Sequence, residues 1–452
     1  MEAIWAFGLF VVVALVLLLG FPVAFTLGGV SLWFALAGWV AGWFDFSFLM
    51  AMPNRVYGIM TNVTLMAVPA FIFMGLVLEK AKLSQTLLEN MAALLGSKKG
   101  GLGFALLIVG TLLAASTGIV GATVVTLSLL ALPVMKKNGY DESLSAGTIC
   151  ATGTLGQIIP PSIVLVLLGD VLSNAYQQAQ IDAHIFSPKT VSVGDLFAGA
   201  IIPGLLLVTC YALYWLYIII RHPHKAPAAK NSINEKQKSL VQILTSLLPP
   251  FFLIIVVLGS IISGIASPTE AASVGAVGAM LLATIKKQLS PKILMEISTE
   301  TVKVSAMIFM ILIGAALFSL VFKGFHGDEI IREFLTHLPG GKLSAFLIVM
   351  IVMFFLGFIL DFIEITFVII PIVGPILLSQ GFDPVWLGIM FAINLQTSFL
   401  TPPFGFALFY LKGVSDIDSI KLYKGVLPFI LIQIFVLLLL YWQPTLTSLI
   451  KF

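Results

Sequence analysis

The chain has 452 residues, 59% of them hydrophobic and only 10% charged, whereas an ordinary soluble domain carries roughly 25% charge. Its mean hydropathy of +1.09 places it in lipid, and at about 20 apolar residues per spanning helix the length holds ten or so spans with no soluble domain left over. The net charge of +3 informs through where Lys and Arg sit rather than through its sum, and it gives no ground for a nucleic-acid partner.

Met1 to Gly20 has an apolar core with no Lys or Arg before Arg55. It lacks the basic start of a cleaved signal peptide and reads as a retained helix whose N-terminus lies on the periplasmic side. Apolar runs at about 3–20, 23–43, 57–78, 196–220, 241–263, 268–285, 303–322 and 425–443 read as ordinary spans. Residues 44–56 and 286–302 each precede a span as amphipathic stretches suited to bracing helices in the interface, with ordinary loops as the plainer reading.

Four segments behave differently. Residues 102–135 and 343–379 are apolar but carry Gly, Ser, Thr or acids at their middles, while 143–171 and 384–412 are long helices interrupted by Pro160-Pro161 and Pro402-Pro403. Positive charge belongs in short cytoplasmic loops. Lys80, Lys82, Lys98, Lys99, Lys136 and Lys137, the group Arg221, Lys225, Lys230, Lys236 and Lys238, and Lys286 with Lys287 mark that side. The loops 172–195 and 323–342, with Asp182, Asp195, Asp328, Glu329 and Glu333, belong outside. These assignments require 102–135 and 343–379 to be re-entrant hairpins and put both termini on the periplasmic side of a bacterial inner membrane.

The polar, Pro-containing stretch 222–240 divides the chain almost in half and reads as a cytoplasmic linker. Pro133, Gly139, Asp141, Pro160 and Pro161 recur, at one common offset, as Pro375, Gly381, Asp383, Pro402 and Pro403. The first half ends in the cytoplasm after an odd number of full spans, so the expected fold is an all-α polytopic membrane protein of two inverted repeats, 1–221 and 241–452. Each repeat supplies scaffold helices (1–56 and 241–302) and a re-entrant hairpin with a broken helix (102–135 with 143–171, and 343–379 with 384–412).

At the breaks a proline lacks the N–H that would bond the carbonyl four residues earlier. Gly156 and Gln157, and Ser398 and Phe399, are therefore expected to lose their helical partners. Unpaired carbonyls persist at membrane depth only where protein, water or an ion satisfies them, and Na⁺ suits those oxygens while the half-helix N-termini suit an anion. A proline kink satisfied by Ser and Thr side chains is the competing reading. The first hairpin turns at Ala115–Thr123, where hydroxyls and small residues serve either ion coordination or close packing. The second carries Gly357, Asp361 and Glu364 at its midpoint. Acids at this depth are costly and mark function unless the tip reaches water, and Asp361 and Glu364, three apart, share a helix face or straddle the tip.

All five histidines, at 184, 222, 224, 326 and 337, fall in predicted loops, and no Ser-His pair, HExxH or nucleotide-binding motif is visible. Cys150 and Cys210 lie in apolar runs as packing residues. An intramembrane enzyme built on Asp361 and Glu364 remains the alternative from a different class.

These residues resemble the large membrane subunit, or M subunit, of the TRAP transporters, the tripartite ATP-independent periplasmic systems of the ion-transporter superfamily. The resemblance covers essentially the whole chain. It rests on GFPVAFTLGG (Gly20 to Gly29), VPAFIFMG (Val68 to Gly75), ASTGIVGATVVT (Ala115 to Thr126), GTLGQIIPPS (Gly153 to Ser162) and LTPPFG (Leu400 to Gly405). It implies an elevator-type transporter that takes up an organic acid with Na⁺ as coupling ion and no cofactor. The implied partners are a small four-span membrane subunit, a periplasmic substrate-binding protein and the surrounding membrane lipid. A single-component Na⁺/carboxylate symporter or antiporter of related fold is the nearest alternative. The resemblance further implies one Na⁺ site at Ser116, Thr117, Gly118, Gly153 and Gly156, a second at Gly357, Asp361, Thr397 and Thr401, and substrate near Thr154, Gln157 and Ser162. Residues 172–195 depart from the dicarboxylate branch in forming a longer loop, a candidate contact for the binding protein.

Overall fold

The computed structural model describes residues 2–80, 83–229 and 240–450, and among them every regular element is helical. The first half runs α1 (Glu2–Leu18), α2 (Val23–Val40), α3 (Met52–Thr61), α4 (Ala67–Lys80), α5 (Leu83–Leu95), α6 (Gly101–Thr117), α7 (Val120–Lys137), α8 (Glu142–Thr154), α9 (Ile163–Asp182) and α10 (Val193–Arg221). The second runs α11 (Leu240–Ile262), α12 (Pro268–Ile285), α13 (Pro291–Gly324), α14 (Gly327–Thr336), α15 (Gly341–Leu356), α16 (Phe362–Val368), α17 (Ile370–Ser379), α18 (Pro384–Leu400), α19 (Phe406–Val414) and α20 (Ser419–Trp442). Six of these, α2, α7, α10, α12, α13 and α20, are long and apolar enough to cross a membrane, and the bent pair α16–α17 passes the same test as one span. The chain is an all-α, multi-pass membrane protein.

The halves follow one order of elements, though not with the same breaks. The hairpin α6–α7 corresponds to α15 with α16–α17, and the helices flanking the first Pro-Pro pair, α8 and α9, correspond to α18 and α19. Both Pro160–Pro161 and Pro402–Pro403 are cis. In the first hairpin the reversal takes two residues, Gly118 and Ile119. Gly118 sits at φ +61, a conformation open to glycine, and a Cβ there would lie 3.0 Å from the Ile163 amide nitrogen. The second hairpin uses the wider turn Gly357–Asp361, and its returning arm bends by 58° between α16 and α17. Pro371 explains the bend, because it cannot donate to the carbonyl of Phe367.

Three expectations need correction. Residues 57–78 are not one span, because the chain leaves the helix at Asn62 (φ −71, ψ 111). The Asn62 side-chain oxygen accepts from the amides of Thr64 at 2.9 Å and Leu65 at 3.3 Å, a local turn that outcompetes helical bonding. The equivalent stretch of the second half is unbroken: α13 runs through it and absorbs residues 291–302 of the expected bracing segment 286–302, while 286–290 form the turn from α12. The loop 172–195 is also shorter than expected, since α9 continues to Asp182. Gln180 then pins what remains, donating to the Lys189 carbonyl and accepting from its amide, both at 2.8 Å. Lys82 and, in the linker 222–240, residues 230–239 with Lys230, Lys236 and Lys238 lie outside the described residues.

The residues gather into two compact units. One comprises Met1–Met66, Leu167–Ser192 and Val302–Gly388 and holds the second hairpin. Its interior is aromatic: Phe10 meets Phe318 and Phe322 edge-on, and Trp5 stacks on Phe325 at 5.7 Å. The other comprises Ala67–Val166, Val193–Thr301 and Ile389–Phe452 and holds the first hairpin and both Pro-Pro breaks. There α8 and α20 approach until their backbones touch. A Cβ on Gly147 would stand 2.0 Å from the Gly425 oxygen, and one on Gly425 would stand 1.9 Å from the Ser143 oxygen. Glycines permit such approach where, as in lipid, close packing holds helices together.

Candidate functional site

The first hairpin tip is built from hydroxyls turned back on their own helix. Ser116 Oγ and Thr117 Oγ1 both donate to the Leu113 carbonyl, at 2.9 and 3.0 Å, and Thr117 Oγ1 lies 2.7 Å from Thr123 Oγ1. All three residues are buried. A hydroxyl whose proton is spent on a carbonyl keeps its lone pairs for a cation. The first break packs against this tip within the same unit. A Cβ on Gly156 would lie 2.9 Å from the Ala114 oxygen, and one on Gly153 would lie 2.4 Å from Val124 Cγ2. Ser116, Thr117, Gly118, Gly153 and Gly156 are thus gathered on one hairpin and the break beside it.

At the break, α8 ends at Thr154, and Leu155–Gln157 form a single 3-10 turn whose Leu155 carbonyl accepts from the amides of Ile158 and Ile159. The carbonyls of Gly156 and Gln157 do lose their helical partners, but they are not left empty. Ser162 Oγ lies 2.7 Å from the first and 3.3 Å from the second. One proton serves two acceptors there, so Ser162 closes the break from within and its donor is already engaged. The second break closes similarly: the Thr401 amide donates to the Ser398 carbonyl at 3.1 Å, and Thr401 Oγ1 donates to Thr397 O at 2.7 Å.

Gln157 is different. Its side chain is 1% exposed, yet neither its amide nitrogen nor its amide oxygen has a hydrogen-bond partner among the described residues. Thr152 Oγ1 is likewise unpartnered, as is the side-chain oxygen of Gln396, whose nitrogen approaches Thr154 Oγ1 at 3.5 Å. Each such group costs about 1–3 kcal/mol when left unmade. Buried polar groups without partners are uncommon, and these stand on the two helices that end at the breaks or at a break itself. Thr152 and Gln396 were not singled out from the sequence. Gln396 was within reach, because the common offset of the repeats sets it opposite Thr154.

Gly357 and Asp361 belong to the first unit, and Thr397 and Thr401 to the second. The acids of the second hairpin resolve into a capping box: Asp361 Oδ1 accepts from the Phe362 amide, and Glu364 Oε2 accepts from the Asp361 amide at 3.0 Å. Their spacing of three thus serves the first turn of α16, whose otherwise orphaned N–H groups they occupy. Both acids therefore have a structural explanation in the turn itself. Thr366, one turn along, is buried with its hydroxyl unpartnered. No group of three or more His, Cys, Asp and Glu that could hold a metal occurs among the described residues, and Cys150 and Cys210 are free thiols.

Residues 10–446 match the family model described as "Tripartite ATP-independent periplasmic transporter, DctM component". Among curated relatives, the sialic acid TRAP transporter large permease protein SiaM of Vibrio cholerae is 29% identical, covering 93% of this chain and 92% of its own. The C4-dicarboxylate TRAP transporter large permease protein DctM of the same organism is 28% identical over 97% of each chain. Two solved transporters share the fold. YdaH of Alcanivorax borkumensis has a TM-score of 0.59 at 16% identity over 88% of this chain and 87% of its own. MtrF of Neisseria gonorrhoeae has a TM-score of 0.60 at 12% identity over 87% and 83%. An intramembrane enzyme is thereby set aside, and the chain belongs to the DctM family, the large permease subunits of TRAP transporters.

Proposed function

We propose that this subunit imports an organic acid across the bacterial inner membrane with Na⁺ as coupling ion, receiving it from a periplasmic binding protein and working beside a small membrane subunit. The observation that carries the reading is Gln157, a fully buried amide with both ends unpartnered at a helix break. An amide so placed can donate to a carboxylate or hydroxyl and accept from a hydroxyl, which suits a small organic acid. Thr154 and Ser162 complete the substrate side. One Na⁺ lies among the oxygens of Ser116, Thr117 and Gly118 and the backbone at Gly153 and Gly156, a set of hard donors suited to a hard cation.

In this reading the halves are inverted, both termini are periplasmic, and the hairpins with the broken helices travel as an elevator against the scaffold helices. The isethionate TRAP transporter permease protein DctMQ of Oleidesulfovibrio alaskensis, 28% identical over 95% of this chain, extends well beyond the matched length, with 64% of it aligned. That name accords with a second membrane component working alongside this one. The deciding experiment is uptake into proteoliposomes containing this chain and its small partner. Accumulation should require the binding protein and an inward Na⁺ gradient. Unchanged uptake when K⁺ replaces Na⁺ refutes the coupling, and uptake without the binding protein points to a single-component symporter.

A further inference from the structure

The first unit forms a polar cavity of about 550 Å³ whose lining shares no residue with the set around Gln157. Its walls come from α3, α9, α13 and the α16–α17 arm. Arg55 and Lys323 line it, both half-buried and neither in an ion pair among the described residues. The Arg55 guanidinium makes one long bond, 3.4 Å, to the Ala316 carbonyl and leaves its remaining donors unspent. The cavity's one acid, Asp170, accepts from the Asn62 side chain at 2.8 Å, while Asn174 and Gln178 add amides to the wall. Asn62 is there because the helix breaks at that residue, so the sole interruption of the α3–α4 stretch opens onto this cavity.

The volume falls in the range of ordinary small-ligand pockets. Within the cavity's own lining, two cations against one carboxylate leave a single net positive charge. A half-buried cation without a counter-charge is costly unless an anion completes it, and a guanidinium with amides around it matches a carboxylate's two oxygens. One residual charge fits a carboxylate better than a doubly charged phosphate. A neighbouring hollow of about 290 Å³ shares Gln178, Lys323, Pro371 and Pro375 with the cavity. Asp182, Asp328 and Glu329 line that hollow; Asp182 is engaged by Arg332 at 2.7 Å and by Gln178 at 2.7 Å and also feels the Lys323 charge, so Arg55 is the less compensated of the cavity's two cations.

We propose that this cavity is an anion vestibule in which Arg55 and Lys323 hold the carboxylate of a small organic acid, a second binding station separate from the break at Gln157. The choice of an organic acid as occupant rests on the proposed import function; the cavity's charge and lining do not. The test is equilibrium dialysis of radiolabelled succinate, benzoate and gluconate, with inorganic phosphate as control, against the full chain purified with its small partner subunit. At least one carboxylate should bind. Arg55→Gln and Lys323→Gln should each weaken it by about tenfold or more, whereas Lys323→Arg should retain it and report that the fold is intact. Gln157→Leu should leave a class of sites with unaltered sensitivity to Arg55→Gln.

Binding that survives the Arg55→Gln, Lys323→Gln double variant, or no binding by any of the three acids, overturns the proposal, as does phosphate binding as tightly as the carboxylates. Failure of Na⁺-driven uptake with Arg55-dependent binding intact would instead remove the import reading and leave the vestibule standing.

Discussion

Gln396 Nε2 and Thr154 Oγ1 approach at 3.5 Å across 242 residues of sequence, so each stands at the same station of its own half. The two broken helices of this unit therefore meet at equivalent points, and the meeting is polar. Thr154→Val removes the acceptor and leaves the Gln396 amide wholly unpaired. The expected loss is about 1 kcal/mol of stability, and in a double-mutant cycle with Gln396→Leu the pair should show coupling of roughly 0.5 kcal/mol. Strict additivity in thermal or denaturant unfolding would show that the contact carries no energy.

Gln157→Leu separates function from folding. Replacing an unsatisfied buried amide with an apolar group of similar size should leave the thermal midpoint unchanged or raise stability by about 1 kcal/mol. Uptake should nevertheless fall at least tenfold. A variant that is both unstable and inactive would assign Gln157 to packing instead.

Gly425→Ala tests the contact of α8 with α20. The added methyl meets backbone rather than a side chain that can turn aside, so the cost should reach or exceed about 3 kcal/mol. Monodisperse yield after size-exclusion chromatography measures it. Gly413→Ala, at a position with open space around its Cβ, should express like the parent.

The Asp182–Arg332 pair predicts a pH dependence. Burial alone would push the Asp182 carboxyl up, but the hydrogen bonds from Arg332 and Gln178 and the Arg332 charge together hold it below the ordinary carboxylate range. A group lowered on folding contributes stability above its unfolded pKa of about 3.9, and that contribution is lost as pH falls through the folded value. Arg332→Gln should thus cost under about 1 kcal/mol at neutral pH, since the pair is partly exposed. The difference from the parent should shrink on acidification below about pH 4. Unfolding midpoints across that range check it.

Much of this was legible in the chain. Turn and breaker residues survive repetition because backbone geometry demands them, so Pro160-Pro161 and Pro402-Pro403 revealed both breaks, and Gly118 the tight hairpin. What the spacing hid has a common cause. The Asn62 turn hides within an apolar run because its signal is one side chain bonding to nearby amides, which hydropathy does not weigh. Ser162 closes the break with its own proton and Asp361 with Glu364 caps a helix, structural roles that residue spacing does not announce. Local hydrogen bonding decided each case, and residue spacing alone did not distinguish a capping box from a pair of ligands.

The interruption at Asn62 has a further consequence, since α13 passes the corresponding point without a break. Symmetry between the halves is complete in the order of elements and incomplete in their continuity. A chain with interchangeable halves would offer incoming and outgoing cargo mirror-image routes. Here a turn that opens onto a charged cavity occurs in one half and a straight rod occupies its place in the other. Within the proposed import cycle that difference makes the halves unequal partners, one offering a charged stopping place beside its turn and the other a continuous helix at the corresponding point.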